Sequence, residues 1–204
     1  VFALHNLPGF KKHQIIVKKY NKEHVDLKLY VDNPIQEFSV LQYIGDNHPN
    51  VSGQIACLTD GCWYYSVMKF RGYDLGSYLF QSPRIDEKKC QFYFRQIIHG
   101  MKHLQSLNIC HRDLSLENFV YDEETQQVSI IDFGMSLVLP KDPSTGQPYL
   151  IPPAGAVGKV SYMPPEIFSN QEPFNGFLSD HWSLGILLFL MLTKKNLVTS
   201  STIL

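Results

Sequence analysis

His111-Arg112-Asp113-Leu114-Ser115-Leu116-Glu117-Asn118 is the stretch on which the fold reading turns, because Asp132-Phe133-Gly134 and then Met163-Pro164-Pro165-Glu166 follow it in order. Any one of the three segments could arise by chance; the ordered set hardly could. Upstream, Asp86 stands as a cap before Cys90, Phe92, Phe94, Ile97, Ile98, Met101 and Leu104, an apolar face that predicts a helix to about Leu107. Downstream, the apolar run Leu184 to Leu192 lies between Asp180 and the pair Lys194 and Lys195. It is too short to cross a bilayer and reads as a buried core helix, with no membrane span. Leu139 to Gly158 holds Pro140, Pro143, Pro148, Pro152 and Pro153 and reads as a long mobile loop. The first 70 residues differ, with β-type runs at Gln14-Ile15-Ile16-Val17 and from Cys62 to Met68. One helix interrupts them, about Pro34 to Ile44, where Ile35, Phe38, Leu41 and Gln42 recur at helical spacing and Gly45-Asp46-Asn47 supplies a stop. A small sheet with one helix, followed by a mainly helical part, is an α+β arrangement.

With 44% hydrophobic and 18% charged residues, the 204-residue chain has ordinary globular composition and length for one sizeable domain or two small lobes. A chain disordered throughout is excluded. The formal net charge of -1 gives no broad pull toward nucleic acid or an anionic membrane. Cys57, Cys62, Cys90 and Cys110 lack the paired spacing of a zinc site and are sparse for a disulfide framework, so they read as reduced thiols of an intracellular, cytoplasmic protein. His99 and His103 stand four apart on the predicted helix and read as helix-surface histidines, since no third ligand follows from the spacing.

The ordered segments resemble the catalytic loop, the metal-binding D-F-G and the A-P-E element of protein kinases, and the resemblance covers nearly the whole chain. It implies a bilobal fold, with residues 1–70 as a β-rich N-lobe and 71–204 as a mainly helical C-lobe. It also implies Mg-ATP-dependent phosphorylation of Ser or Thr hydroxyls on protein substrates in signalling, since the H-R-D-L-S-x-E-N form does not resemble the tyrosine-kinase loop. In that resemblance Asp113 takes the catalytic-base position, and Asn118 and Asp132 are hard oxygen ligands to Mg2+. Ile15-Ile16-Val17-Lys18 resembles the strand carrying the nucleotide lysine, and Glu37 lies where its partner belongs. Lys19 is the neighbouring alternative, which strand alternation points away. Val67-Met68-Lys69-Phe70-Arg71-Gly72 resembles the hinge between lobes, with Met68 as gatekeeper and backbone groups of Lys69 and Arg71 reading adenine. Asp74 is assigned to the ribose, and Val1, Ile16 and Val120 to the nucleotide pocket. Asp180, opening the central helix, is expected to hold the catalytic-loop backbone through hydrogen bonds.

Several positions depart from the family pattern. Val1 resembles the valine just after the glycine-rich loop, and Leu204 falls just beyond the central helix, so a fragment lacking that loop and the last helices is expected. The arginine that normally pairs with Glu166, expected as a buried acid, belongs to the missing part. Ser115 stands where Ser/Thr kinases usually carry a lysine, while Gly158-Lys159-Val160-Ser161-Tyr162 resembles G-T-x-x-Y with Lys159 in place of threonine. One swap explains both: hydroxyl and ammonium exchange chains and still meet beside Asp113. Ile16 replaces a small alanine that touches adenine. Arg112 marks the subclass controlled by activation-loop phosphorylation; Gly155 sits near the usual phosphosite, leaving Ser144, Thr145 or Tyr149. The rival reading is a pseudokinase scaffold, favoured by Ser115, Ile16 and the two expected truncations and opposed by the presence of Lys18, Glu37, Asp113, Asn118 and Asp132 together. A nucleotide-binding protein of another fold lacks support, because no G-x-x-x-x-G-K-[ST] loop is present.

Overall fold

The computed structural model of the chain describes residues 2–3, 15–29, 33–81, 86–153, 155, 157–169 and 171–195. Strand β1 (Phe2–Ala3) pairs with β2 (Ile15–Asn21), which a short helix α1 (Lys22–Asp26) follows. Helix α2 (Pro34–Ile44), β3 (Gln54–Thr59) and β4 (Trp63–Lys69) complete this part, and the antiparallel sheet runs β1-β2-β4-β3. Alternation along β2 buries Ile15 and Val17 on one face and leaves Lys18 and Tyr20 to the other. Helix α2 has the predicted limits for local reasons. The Asn33 side chain accepts from the Gln36 amide at 3.2 Å, Pro34 needs no amide partner in the first turn, and Gly45 stops the helix at φ 62. Its buried face is Glu37, Phe38, Val40, Leu41 and Ile44; Ile35, assigned to that face from spacing, is 43% exposed.

Beyond β4 the chain becomes mainly helical: β5 (Tyr73–Asp74), α3 (Leu75–Gln81), α4 (Glu87–Ser106), β6 (Ile109–Cys110), β7 (Phe119–Asp122), β8 (Gln127–Ile130), β9 (Leu137–Val138), α5 (Pro165–Ser169) and α6 (Gly176–Thr193). Asp86 caps α4 by accepting from the Lys88 amide at 3.1 Å. The helix buries Cys90, Tyr93, Ile97, Met101 and Leu104, whereas Phe92 is 48% exposed. Residue 92 lies about 200° around the helix from Cys90, so Tyr93 rather than Phe92 continues the apolar stripe. In α6, capped by Asn175, Leu184, Ile186, Leu187, Leu190 and Met191 are buried, but Leu192 is 53% exposed. The 18 residues of α6, with a mean hydropathy of 1.3, are long and apolar enough to span a membrane, which the shorter run Leu184 to Leu192 did not reveal; 56% of the helix is buried inside the fold.

One continuous core joins α2, α4 and α6 through Leu41, Ile97, Leu104, Phe119, Phe133 and Leu187. Two small sheets sit on it, β5-β7-β8 and β6-β9. Strand β6 leads into the loop 111–118 and β7 leads out of it; β8 leads into the loop 131–136, and β9 returns to pair with β6. This topology places the two polar loops side by side. The Pro-rich stretch from Leu139 is irregular, as its prolines require, yet it is tied down. The Ile151 and Phe174 backbones exchange hydrogen bonds of 2.8 and 3.0 Å, and Leu139 and Ile151 are buried with Cys110, Ile167 and Phe177. Glu166, expected as a buried acid, is exposed in the first turn of α5.

Candidate active site

Lys18 is the lysine that strand alternation turns inward. Its Nζ donates to Glu37 Oε1 at 2.6 Å and to Asp132 Oδ1 at 3.0 Å, so β2, α2 and the loop after β8 meet at one ammonium. Lys19 points to the opposite face, with its Nζ 3.8 Å from the centre of the Trp63 ring. Glu37, 1% exposed, also accepts from the Tyr20 hydroxyl at 2.7 Å, a partner the sequence reading did not name although residues 18 and 20 share a strand face. Burial works to lower the Lys18 pKa, but the Glu37 and Asp132 carboxylates outweigh it and hold the ammonium above its ordinary 10.5. Burial works equally to raise the Asp132 pKa, and Lys18 outweighs it, keeping the carboxyl below its ordinary 3.8. Gln36, also on α2, donates to the Ser136 carbonyl and so ties the helix to the Asp132 loop.

The catalytic-loop candidate is held from beneath by α6. Both oxygens of Asp180 accept backbone donors, from the His111 amide at 2.7 Å and the Arg112 amide at 2.8 Å. Complete burial pushes the Asp180 carboxyl above the usual range, while His111 and the two amides pull the other way. Arg112 and Asp132 sit at φ 69 and φ 66, a left-handed backbone that bulky L-residues avoid. Such positions cost about 1–3 kcal/mol each and persist only where surrounding bonds impose them. The Asp180 carboxylate is that constraint for Arg112. The His111 ring bridges onward, its Nε2 at 3.1 Å from the Ile131 carbonyl and its face 5.2 Å from the Phe133 ring centre.

Asn118 spends its amide hydrogens on Asp113, donating to the main-chain carbonyl at 2.6 Å and to Oδ2 at 2.9 Å. Its carbonyl oxygen and the second Asp132 oxygen are therefore the hard donors available for a cation. Among the described residues no group of three His, Cys, Asp or Glu side chains is placed to hold a metal. That donor set fits Mg2+, which is bound through one or two protein oxygens plus phosphates and water rather than in an all-protein cage. His103 stacks on His48 with ring centres 4.5 Å apart, so it is a half-buried packing residue rather than a helix-surface one.

A cleft of about 220 Å³ opens between the sheet and the helical part. Ile16, Lys18, Met68, Lys69, Arg71, Val120 and Asp132 all line it, together with Leu41, Ser52 and Ile131. Val1 lies outside the described residues. Asp74 does not line the cleft. Its carboxylate accepts from the Ser77 amide at the start of α3, and it faces a separate groove shared with Glu117 and Lys159. A residue the sequence reading passed over, Asp46, binds both hinge cations: Lys69 Nζ at 2.5 Å, and the Arg71 guanidinium. Both hydrogen bonds act against burial to hold the Asp46 carboxyl below its ordinary range.

Lys159 and Ser115 meet. Lys159 Nζ donates to Ser115 Oγ at 2.7 Å and pairs with Glu117 Oε2 at 2.6 Å. Gly158, at φ 98, makes this approach feasible: a Cβ there would stand 2.6 Å from the Arg112 carbonyl oxygen.

A cleft between a sheet and a helical part, backed by a lysine-carboxylate pair, with the Asp113–Asn118 loop tied to the Asp132 loop by the Ile131 amide donating to the Asn118 main-chain carbonyl at 3.0 Å, is the arrangement of the protein kinase fold. The family profile for the protein kinase domain matches residues 9–203, and the chain belongs to that family. It is 31% identical over 188 residues to serine/threonine-protein kinase SRK2C of Arabidopsis thaliana, covering 88% of this chain and 51% of that protein. To serine/threonine-protein kinase SAPK3 of Oryza sativa subsp. indica it is 31% identical over 189 residues, 88% of this chain and 53% of that protein. To the probable serine/threonine-protein kinase HSL1 of Saccharomyces cerevisiae it is 35% identical over 152 residues, 72% of this chain and 9% of that protein. The chain thus spans about half the length of the two plant relatives and a small part of the yeast one.

Proposed function

We propose that the protein is a serine/threonine kinase that transfers the γ-phosphoryl group of Mg-ATP to hydroxyls of protein substrates in intracellular signalling. The observation that carries this reading is the intact set of contacts: Lys18 on Glu37 at 2.6 Å, Asp132 on Lys18 at 3.0 Å, and Asn118 on Asp113 at 2.9 Å. Lys18, Glu37, Asp113, Asn118 and Asp132 are all in place, which favours transfer over a scaffold despite Ser115 and Ile16.

Phosphoryl transfer asks a protein for alignment and charge neutralisation rather than covalent chemistry. Backbone groups of Lys69 and Arg71 would read the adenine edge, in a hinge that Asp46 fixes through both side chains. Lys18 would hold the α- and β-phosphates, its position set by Glu37. Asn118 and Asp132 would hold Mg2+, which supplies neutralisation of the phosphate charge. Asp113 would orient the substrate hydroxyl and accept its proton as the oxygen bonds to the γ-phosphorus; the bond from that phosphorus to the β–γ bridging oxygen breaks, and the electron pair leaves on ADP. The left-handed Arg112 backbone pinned by Asp180 keeps Asp113 in place between turnovers. Four free thiols, two exposed at Cys57 and Cys62 and two buried at Cys90 and Cys110, support a reducing, cytoplasmic setting.

The test is transfer of labelled phosphate from Mg-ATP by the full-length protein to a generic basic protein, with the modified residue identified after acid hydrolysis. Phosphoserine or phosphothreonine is the expected product. Phosphotyrosine alone, or no transfer by a folded protein that binds ATP, overturns the assignment.

A further inference from the structure

We propose that Lys159 is a catalytic residue: the cation that touches the transferred γ-phosphoryl group beside Asp113, delivered from outside the catalytic loop and held in place by Ser115. The inference rests on the kinase reading above. In the transfer step negative charge is spread over the equatorial oxygens of the moving phosphoryl group, and fixed positive groups beside them lower the barrier. The loop 111–118 supplies only Arg112, and that guanidinium donates to the Met135 carbonyl at 3.4 Å. Lys18 is already shared by Glu37 and Asp132. Among the described residues, Lys159 lines one pocket together with Asp113 and Arg112. Its neighbour Gly158 packs against the loop so closely that a Cβ would lie 3.7 Å from Asp113 Oδ1.

Its two partners act differently. Ser115 is 1% exposed and lies two residues past Asp113; its hydroxyl accepts from Lys159 Nζ at 2.7 Å, which fixes the ammonium without cancelling its charge. Glu117 does carry charge, but its side chain is 73% exposed and that of Lys159 38%, and an ion pair so open to water is weak. A nucleotide phosphate, with more charge and a second cation bound to it, would displace it. The backbone behind the ammonium is fixed on both sides. The Leu116 amide donates to the Tyr162 hydroxyl at 3.4 Å, and Ser183 Oγ donates to the Tyr162 carbonyl at 2.9 Å. A preorganised charge of this kind needs no rearrangement as the phosphoryl group moves.

The experiment measures kcat and KM for ATP in the full-length protein with a generic basic protein as acceptor. Lys159→Met is expected to lower kcat about a hundredfold, the scale for loss of one transition-state donor, with KM for ATP changed less than about threefold. Lys159→Arg should keep kcat within about tenfold of wild type, and Glu117→Gln within about threefold. Adding Ser115→Lys to an impaired Lys159→Thr variant should restore most of the lost rate, which a folding defect would not allow. The proposal is overturned if Lys159→Met retains more than about a third of the wild-type kcat, or if Glu117→Gln loses as much as Lys159→Met, which would make the lysine a clip for Glu117. An unimpaired rate in Asp113→Asn would instead overturn the kinase reading itself.

Discussion

Replacing Glu37 with glutamine removes one charge at the point where three elements meet. Lys18 Nζ lies 2.6 Å from Glu37 Oε1 and 3.0 Å from Asp132 Oδ1, with side-chain exposures of 20% for the lysine and 2% for the glutamate. At an effective dielectric of 20 the Glu37 contact carries a gross attraction of about 6 kcal/mol. Glutamine forfeits that attraction but also relieves the several-kcal/mol cost of burying a carboxylate. Breaking a buried pair outright costs about 3–5 kcal/mol; here Lys18 keeps Asp132, so the net loss should be smaller, about 2 kcal/mol, or about thirtyfold in the folding equilibrium. The functional loss should exceed the stability loss. Freed from α2, the ammonium would be drawn wholly to Asp132, where under the proposed mechanism it would compete with Mg2+ and leave the phosphates. A displacement of about 1 Å in such a group is worth about a hundredfold in kcat/KM for ATP. Urea denaturation and steady-state kinetics in the full-length protein read the two effects separately. A Glu37→Gln variant with kcat/KM for ATP within about twofold of wild type would refute the reasoning, because the pair would then be structural only.

Asp46→Asn should leave the half-buried Arg71 guanidinium with neutral acceptors alone, the asparagine amide oxygen and the Pro49 carbonyl at 3.4 Å. Destabilisation of about 1–3 kcal/mol is expected, with a rise in KM for ATP of about fivefold and little change in kcat, since the hinge rather than the reacting centre loosens. An unchanged KM would show that Gly72 and the strand alone fix the hinge. The Lys18–Asp132 pair also predicts a pH window. Asp132 is held below its ordinary 3.8, so its contribution to stability is full above that value and is lost as pH falls through the lower folded one. Lys18 is held above its ordinary 10.5, so its contribution is full below that value and is lost as pH rises through the higher folded one. The stability difference between wild type and Asp132→Asn should therefore be level from about pH 5 to 9 and narrow on both sides. A difference that widens on acidification would reverse the assignment.

Much of the site was legible in the sequence because its parts are local. Loop residues 111–118 act within eight positions, and α2 carries its cap and stop at Asn33 and Gly45. Strand alternation alone separates Lys18 from Lys19. What the sequence concealed needed the third dimension. Asp46 meets Lys69 and Arg71 across 23 and 25 positions, and nothing in a run of Gly-Asp-Asn distinguishes a clamp from a turn. Asp74, placed at the ribose by its order along the chain, also accepts from the Ser77 amide in the first turn of α3, a local bond that the order along the chain does not show. Helix α1, five residues with none buried, carries no apolar period to detect. Phe92 was misplaced because phenylalanine is the more apolar neighbour, whereas the angle around the helix favours Tyr93. The meeting of Lys159 with Ser115 was foreseen from two departures at distant positions, and the 2.7 Å contact gives that reading its geometry.

The central claim is that Asp113, positioned by Asn118 and by the Asp180-anchored loop, receives the substrate proton during phosphoryl transfer. The most direct test compares wild type with Asp113→Asn in the full-length protein, measuring single-turnover transfer from Mg-ATP alongside ATP affinity. Transfer should fall by about three orders of magnitude while ATP affinity stays within about threefold. An Asp113→Asn protein that transfers phosphate at the wild-type rate would contradict the account.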